Sequence, residues 1–406
     1  MELCMHMAWQ LTLNEINQGC NKNVVMSPIS IGNALNLLAF ASMGRTLEQL
    51  MWFLGAKDLN DLKAKSLLMM WFLGAKDLND LKAKSLLMID AGAPIENNNQ
   101  GLILSSLNTL WTNQPFSLKP SFKEFAKTVF KAEAHTLDFV NQAEIARNEV
   151  NLWATNATKG LIKELLPHNA INKETIFILA SALYFKGAWL NAFDMNMTQH
   201  EDFYPLDGKP IRVPFMIAHT RKKHFYQSFK SFKVLKIPYR KEQDKTIFSM
   251  YVILPDKKDG LHDLVQNFNS TPELLGDCFK VKEVCLSEMW IPKFKFSYKF
   301  DASKIMKNIG LTLPFEMIGD FKGMIDSLES EKVFVSKILH GSFIEVNEEG
   351  TEATSFTIFD LPATCSQYGP PPLPSFVADH PFIFMIREEI SGIVFFAGVV
   401  LNPLYG

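Results

Sequence analysis

An α+β fold is predicted from three features of the sequence. Helix-like segments with caps and breakers crowd the first part of the chain, β-branched and aromatic runs of strand length crowd the rest, and linker composition is confined to GPPPLP at 369–374. The amino terminus, MELCMHMAWQLTLNEINQGC, reads as an amphipathic helix. No Lys or Arg precedes Lys22 and no long apolar core ends at small residues, so it does not have the form of a secretory signal. In NVVMSPISIGNALNLLAFASMG, Ser27 can cap a helix and Pro28 can take its first position, where a missing N–H is harmless; Gly44 supplies the stop. That helix is apolar nearly all round, hence central. A further helix covers AEIARNEVNLWATNATKG and ends at Gly160. TIFILASALYF, FSMYVILP, VSKILHGSFIEV, PFIFMI and GIVFFAGVVL then read as buried strands. About thirty residues follow GPPPLP, too few for a second domain, so the run is a loop of the same fold, stiffened by polyproline conformation.

The length, 406 residues, allows two or three domains, but nothing in the composition divides the chain, and it is read as one domain over 1–406. The balance of 41 basic and 43 acidic residues gives no field directed at nucleic acid or an anionic membrane, and neither is expected as a partner. No apolar run is long enough to span a bilayer. Five scattered cysteines (Cys4, Cys20, Cys278, Cys285, Cys365) suit free thiols in a reducing compartment, so a cytoplasmic location is expected and the sequons at Asn156, Asn196 and Asn269 stay unused. A GxSxG elbow, an HExxH pair, a Walker loop and GxGxxG are all missing, and CFKVKEVC has the wrong spacing for a zinc ribbon. An enzyme is therefore not expected, nor a cofactor or a metal.

MWFLGAKDLNDLKAKSLLM occurs at 51–69 and again without a change at 70–88. Two identical copies are not a solenoid, which needs several drifting repeats, and the pair reads as a recent duplication or a gene-model error. If both copies fold, each carries a helix breaker (Gly55, Gly74) followed by a KDLNDLKAKSLL helix. A copy length of nineteen residues is out of phase with the helical turn by about 100°, so one copy must bulge outward.

The stretch EEGTEATSFT, Glu348 to Thr357, combines two instructions. Read as a strand, its odd positions Thr351, Ala353, Ser355, Thr357, Phe359, Leu361 and Ala363 are small and then apolar, while both charges, Glu352 and Asp360, fall on the even face. Read with the CSQYGPPPLP that follows, it is an exposed loop. Gly350 is the pivot that can adopt either backbone geometry.

Here the chain resembles the serpin family, its plant members most closely. The resemblance rests on NVVMSPISI, Asn148 to Pro167, ALYFKGAW (Ala182 to Trp189), VPFM (Val213 to Met216), IPKFKF (Ile291 to Phe296), HGSFIEVNEEGTEA (His340 to Ala353) and FVADHPFIF (Phe376 to Phe384), in this order over nearly the whole length. It implies helices packed on a large central β-sheet with two further sheets and an exposed reactive loop at 350–375. It also implies a suicide inhibitor. A target serine or cysteine protease attacks the loop, forms an acyl intermediate, and is disabled when the loop inserts into the sheet.

Carried over by motif, the hinge is Glu348, Glu349, Gly350, Thr351, Glu352, Ala353, Thr354, Ser355, Phe356 and Thr357, with the two glutamates ending the preceding strand. The run Thr354, Ser355, Phe356 departs from the family's alanines, and Phe356 is the bulky member, on the even face. The family's spacing puts the reactive bond between Thr364 and Cys365. No Lys or Arg lies between Glu352 and Pro374, which argues against a trypsin-like target and for shallow apolar pockets around Leu361, Pro362 and Ala363. Ser27, Ser30 and His340 match the polar shutter beneath the sheet, where Ser181 stands in place of the family's Asn. Trp189 matches the breach where insertion begins. The inhibitor is expected to be a monomer; the alternative is a serpin fold used for binding or storage, whose loop never inserts.

Overall fold

The computed structural model describes residues 2–19, 22–59, 61, 103–130, 132–218, 223–240, 247–325, 333–351 and 373–405. In chain order the strands are β1 (Val24–Met26), β2 (Ile103–Asn113), β3 (Ala132–Leu137), β4 (Phe177–Ala188), β5 (Gln199–Phe203), β6 (Ile211–Ile217), β7 (Lys223–Ser228), β8 (Phe232–Pro238) and β9 (Phe248–Pro255). They continue with β10 (Lys282–Cys285), β11 (Glu288–Pro292), β12 (Phe294–Asp301), β13 (Lys337–Val346), β14 (Gly350–Thr351), β15 (Ser375–Val377), β16 (Phe382–Glu388) and β17 (Val394–Val400). The first three helices are α1 (Glu2–Asn17), α2 (Pro28–Ala41) and α3 (Gly44–Phe53).

Among the described residues the strands form three sheets. A seven-stranded antiparallel sheet runs β1-β17-β16-β9-β8-β7-β10, and a four-stranded sheet runs β15-β11-β6-β5. The six-stranded sheet runs β12-β13-β4-β2-β3, with β14 attached to the end of β4. This last sheet contains a parallel pair in its interior: β13 lies beside β4, with Lys337 opposite Ile178 and Ser342 opposite Leu183.

Ser27 caps α2 as expected, its side chain accepting the Ser30 N–H, and Pro28 is the first helical residue. All of α2 except Asn33 and Phe40 is buried. At roughly 2 kcal/mol for each large aliphatic side chain removed from water, its Leu and Ile residues make it a principal source of core stability. The expected stop differs: α2 ends at Ala41 with Ser42 as its cap, and Gly44, at φ +53°, instead opens α3. The helix α1 is one-sided but deeply packed: Cys4, Met5, Met7, Ala8, Trp9, Leu11, Thr12 and Leu13 are buried, because α1 packs under α2, β17 and the helix Leu261–Ser270, while His6 and Gln10 are half-buried and Asn14 and Asn17 exposed along one stripe. Nor do strands simply follow helices. The strands β1, β2 and β3 lie among the early helices, while helices Leu261–Ser270 and Ala302–Asn308 interrupt the later strands.

Side chains along β4 alternate between two environments. Phe177, Leu179, Leu183 and Phe185 point into the two main cores, while Ile178 and Ala180 point to the opposite face. There they meet Ile162, Leu165 and Leu166, from the segment after the helix Ala143–Ala157. Asn151 of that helix fixes the segment: its Oδ1 accepts Leu165 N–H and Leu166 N–H, both at 2.8 Å, and its Nδ2 donates to Leu166 O at 2.9 Å. A Cβ at Gly341 of β13 would stand 2.9 Å from Ile162 Cδ1, so the glycine lets this cover lie close over the parallel pair.

Candidate functional site: the seam between β13 and β4

Pairing of β13 with β4 stops at Ser342 and Leu183, and beyond that point the two strands part. The chain leaves β13 at Val346 and turns back through Asn347 to Gly350. Glu348 and Glu349, expected to end the strand, therefore sit in the turn. The strand stops because the Asn347 side chain accepts the N–H groups of Glu349 and Gly350 at 3.1 and 3.2 Å, an Asx-type turn that takes over the strand's donors. The returning residues form β14, antiparallel to β4, with Gly350 opposite Ala188 and Thr351 opposite Gly187. Gly350 has φ +153°, and a Cβ there would lie 2.2 Å from Gly187 O, so both backbone angle and space require glycine.

Around this root the polar groups are paired, although Glu348 Oε2 meets the Lys293 charge without a hydrogen bond. Trp189 N–H donates to Glu349 O at 2.9 Å, its indole Nε1 donates to Asn347 O at 2.9 Å, and Phe193 N–H donates to Glu348 O at 2.8 Å. The Trp189 ring stacks on Tyr239 with centroids 4.5 Å apart. Tyr239 Oη and Thr351 Oγ1 share a buried hydrogen bond of 2.8 Å. The Glu348 side chain, only 3% exposed, lies 2.8 Å from Lys293 Nζ and accepts the Thr198 hydroxyl at 2.7 Å. Burial pushes its carboxyl up, but the Lys293 ammonium and the Thr198 hydroxyl outweigh that and leave it below the ordinary value.

Farther down the seam the structure brings Ser27, Ser30, Ser181 and His340 together. His340 is opposite Ser181 across the parallel pair. His340 Nε2 accepts Ser27 N–H at 3.0 Å and lies 2.8 Å from Ser342 Oγ, while Ser181 Oγ donates to Ser30 Oγ at 2.8 Å. With Nε2 accepting, the neutral ring carries its proton on Nδ1, which is buried with no partner among the described residues. Full burial pushes the imidazole down from 6.5 to about 3. On the other side of Ser181, across β2, stands Asn108, whose Oδ1 is likewise buried and unpartnered.

Trp189 is therefore part of the upper cluster, apart from the four shutter residues. Residues 352–357 of the hinge, and Thr364 and Cys365 at the expected reactive bond, lie outside the described residues. Lys293, Thr198, Tyr239, Asn347 and Asn108 were not singled out from sequence. Lys293 and Asn347 had a signal, their places within IPKFKF and HGSFIEVNEEGTEA; the others sit in segments whose local pattern carries no polar motif.

A hairpin root seated at the mouth of a parallel pair, above a buried Ser–His cluster, within three such sheets, defines a protein class. This chain belongs to the serpin family: the family model Serpin (serine protease inhibitor) matches residues 2–403. Family membership supports protease inhibition as the general activity. Serpin-ZXA of rice (Oryza sativa subsp. japonica) is 39% identical over 390 residues, covering 95% of this chain and 91% of that protein. Serpin-ZX of Arabidopsis thaliana is 39% identical over 388 residues, covering 95% and 93%. Among solved structures, Arabidopsis AtSerpin1 in its native stressed conformation is similar, with a TM-score of 0.83 and 36% identity over 100% of this chain and 98% of that one.

Proposed function

We propose that this serpin inhibits serine or cysteine proteases as a suicide substrate, by inserting its cleaved loop between β13 and β4. The observation that carries the reading is one of register. β14 runs antiparallel to β4 from Gly350 opposite Ala188, and the turn pairs Gly350 with Asn347. Continued one residue at a time, the first register would bring Thr357 opposite Ser181 and the second would bring Thr357 opposite His340. Those two residues are already partners across the seam. A strand entering there would be antiparallel to both neighbours and in step with both.

The same register gives each loop residue a face. Thr351, Ala353, Ser355 and Thr357 would point inward, as the Thr351 hydroxyl already does toward Tyr239. Glu352 would lie opposite Lys186, an opposite-charge cross-strand pair. Phe356 would lie opposite Ala182 on the outer face, where a large side chain meets a small one.

In the proposed reaction the protease nucleophile bonds to the Thr364 carbonyl carbon, the bond to the Cys365 nitrogen breaks, and the freed amine takes a proton from the protease's general acid. Insertion of about fourteen residues would carry the acyl-enzyme some 46 Å along the sheet. At about 1 kcal/mol per ladder bond it would release on the order of 10 kcal/mol. Displacing a catalytic group by about 1 Å can slow hydrolysis about a hundredfold, so the ester persists if insertion is faster than water attack. The similarity to AtSerpin1, whose structure is described as native and stressed, supports the reading of the present conformation as the loaded state. The test is incubation with elastase-like, chymotrypsin-like and papain-like proteases. The expected result is a complex that survives denaturing electrophoresis and a nicked form melting about 10 °C above the intact one. Clean cleavage with neither complex nor rise in melting temperature would favour the binding or storage alternative.

A further inference from the structure

The proposed trap makes no use of a cavity of about 210 Å³ between the turn that joins β7 to β8 and the helices Leu261–Ser270 and Glu273–Cys278. Its apolar wall is preformed. Phe229 N–H donates to Phe232 O at 2.8 Å, closing the turn, and the two rings stack with centroids 4.6 Å apart and planes 13° from parallel. The Phe232 ring meets Phe268 edge-on at 5.7 Å, and Phe268 lies 5.6 Å from the Trp9 ring. Leu264, which is buried, and Leu274, which is 36% exposed, complete the apolar lining. Phe232, Leu264 and Phe268 belong to the main core, so their positions are fixed before anything enters.

The polar lining is one-sided. Lys230, Ser231 and Asn267 can each donate a hydrogen bond, and Asp277 is the acid of the set. The Asp277 carboxylate is already met by Lys280 Nζ at 2.8 Å. The Lys230 ammonium has no ion-pair partner among the described residues. The charge left to be matched is therefore positive.

Size and shape narrow the occupant further. An apolar cavity of about 150 Å³ lined by Leu, Ile and Phe holds benzene, so the larger space here suits a fused two-ring body. Stacked and edge-on rings favour a flat aromatic one, which can adopt the same offset or edge-to-face geometries. A helix or strand of a partner protein is too large to enter. We propose that this cavity binds a small aromatic carboxylate, with its rings against Phe229, Phe232 and Phe268 and its carboxylate on Lys230.

The test titrates the intact chain by calorimetry at low salt with three probes that share one ring system: anionic 2-naphthoate, neutral 2-naphthamide and cationic 2-naphthylmethylamine. Naphthoate is expected to saturate at one molecule per chain and to bind about fivefold tighter than the amine, the difference an exposed charge contact supplies. Lys230→Glu changes an exposed residue and is expected to reverse that order without lowering the melting temperature. Leu274→Trp places an indole in the space and is expected to abolish binding of all three probes. No saturation by naphthoate below about 5 mM would overturn the proposal. So would undiminished naphthoate binding to a folded Leu274→Trp chain, which would put the probe elsewhere. Equal affinities for the three probes, unchanged by Lys230→Glu, would reject the carboxylate as the recognised group. Pairing of two chains that Lys230→Glu abolishes, with no probe bound, would assign the surface to a second copy. No protease enters the test, so its failure and a failure of inhibition are separate results.

Discussion

At the top of the β13–β4 seam the polar groups holding the loop root are paired, Glu348 Oε2 through the Lys293 charge at 2.8 Å and not through a hydrogen bond, whereas in the middle of the same seam two buried polar atoms have no partner of either kind among the described residues. Glu348 is met by Lys293 and Thr198, Thr351 by Tyr239, and the turn carbonyls by Trp189 and Phe193. His340 Nδ1 and Asn108 Oδ1, flanking Ser181, are left over. An unmet buried donor or acceptor costs about 1–3 kcal/mol, so the two unpaired atoms make the middle of the seam the less satisfied of the two regions. The contrast separates two jobs. If the loop inserts as proposed, the paired groups where the loop begins would resist opening and the unmet groups lie where the inserted strand would arrive.

The largest expected effect comes from breaking the upper cluster. Lys293→Met removes the cation and leaves the Glu348 carboxylate in a site that is almost closed to water. Removing one partner of a fully buried pair destabilises by about 3 kcal/mol or more; with Lys293 36% exposed the expected loss is discounted to about 2 kcal/mol. Urea unfolding of the intact protein is expected to show a loss of about that size. The contrast fails if the variant unfolds at the same midpoint as the parent.

The next effect reports on the middle. The folded-state value of His340 is depressed from 6.5 to about 3 by burial. Between those values the unfolded chain binds a proton that the folded chain does not, so stability is complete above pH 6.5 and falls as the pH drops toward 3. At pH 5 the loss from this one group is about 2 kcal/mol. His340→Gln keeps polar atoms in the site but does not titrate, and its stability is expected to be flatter from pH 6.5 to 5. Equal slopes for parent and variant would mean that the ring is not held neutral by burial.

The two regions were legible in the sequence to different degrees, for physical reasons. Ser27 and Pro28 announce themselves locally, through capping and a fixed φ, and α2 begins where they place it. The strand β9 was readable to the residue because FSMYVILP is apolar on both faces and is buried on both. By contrast β2, ILSSLNTLWTN, carries Ser, Asn and Thr through its length and has no clean alternation to read. Gly44 misled because a glycine after an apolar run signals a stop, while here Ser42 caps α2 and the glycine's positive φ starts α3. The resemblance gathered the shutter residues, and composition gave none of them. Tyr239 and Thr198 were invisible, since each reaches the loop root only through tertiary folding, from more than a hundred residues away.

A smaller effect of opposite sign is expected at Ser181. It stands between an unmet acceptor, Asn108 Oδ1, and an unmet donor, His340 Nδ1–H, on the same inner face of three adjacent strands. Ser181→Asn introduces an amide with one donor side and one acceptor side, matched to both. The intact protein is expected to gain up to about 1 kcal/mol in urea unfolding, offset in part by loss of the Ser181–Ser30 hydroxyl bond and by the crowding of a longer side chain. The gain should shrink in an Asn108→Ala background, where one of the two new bonds is lost. An equal gain in that background would point to packing instead of hydrogen bonding as its source.

The smallest effect is a single hydroxyl at the top. Tyr239→Phe keeps the ring that stacks on Trp189 and removes only the group that meets Thr351. Burial holds the tyrosine phenol far above its ordinary value, so the hydroxyl is neutral throughout the working range and the loss has no pH dependence there. The expected destabilisation is about 1 kcal/mol, part of it from leaving the Thr351 hydroxyl unpaired. Thr351→Val removes that leftover group with little change of shape. Added to Tyr239→Phe it should recover some of the loss, so a double-mutant cycle yields a coupling of about 0.5–1 kcal/mol between the two positions. Additive losses would separate Thr351 from Tyr239 and leave the loop root held by backbone pairing to β4, by Trp189 and Phe193, and by the Glu348 contacts to Lys293 and Thr198.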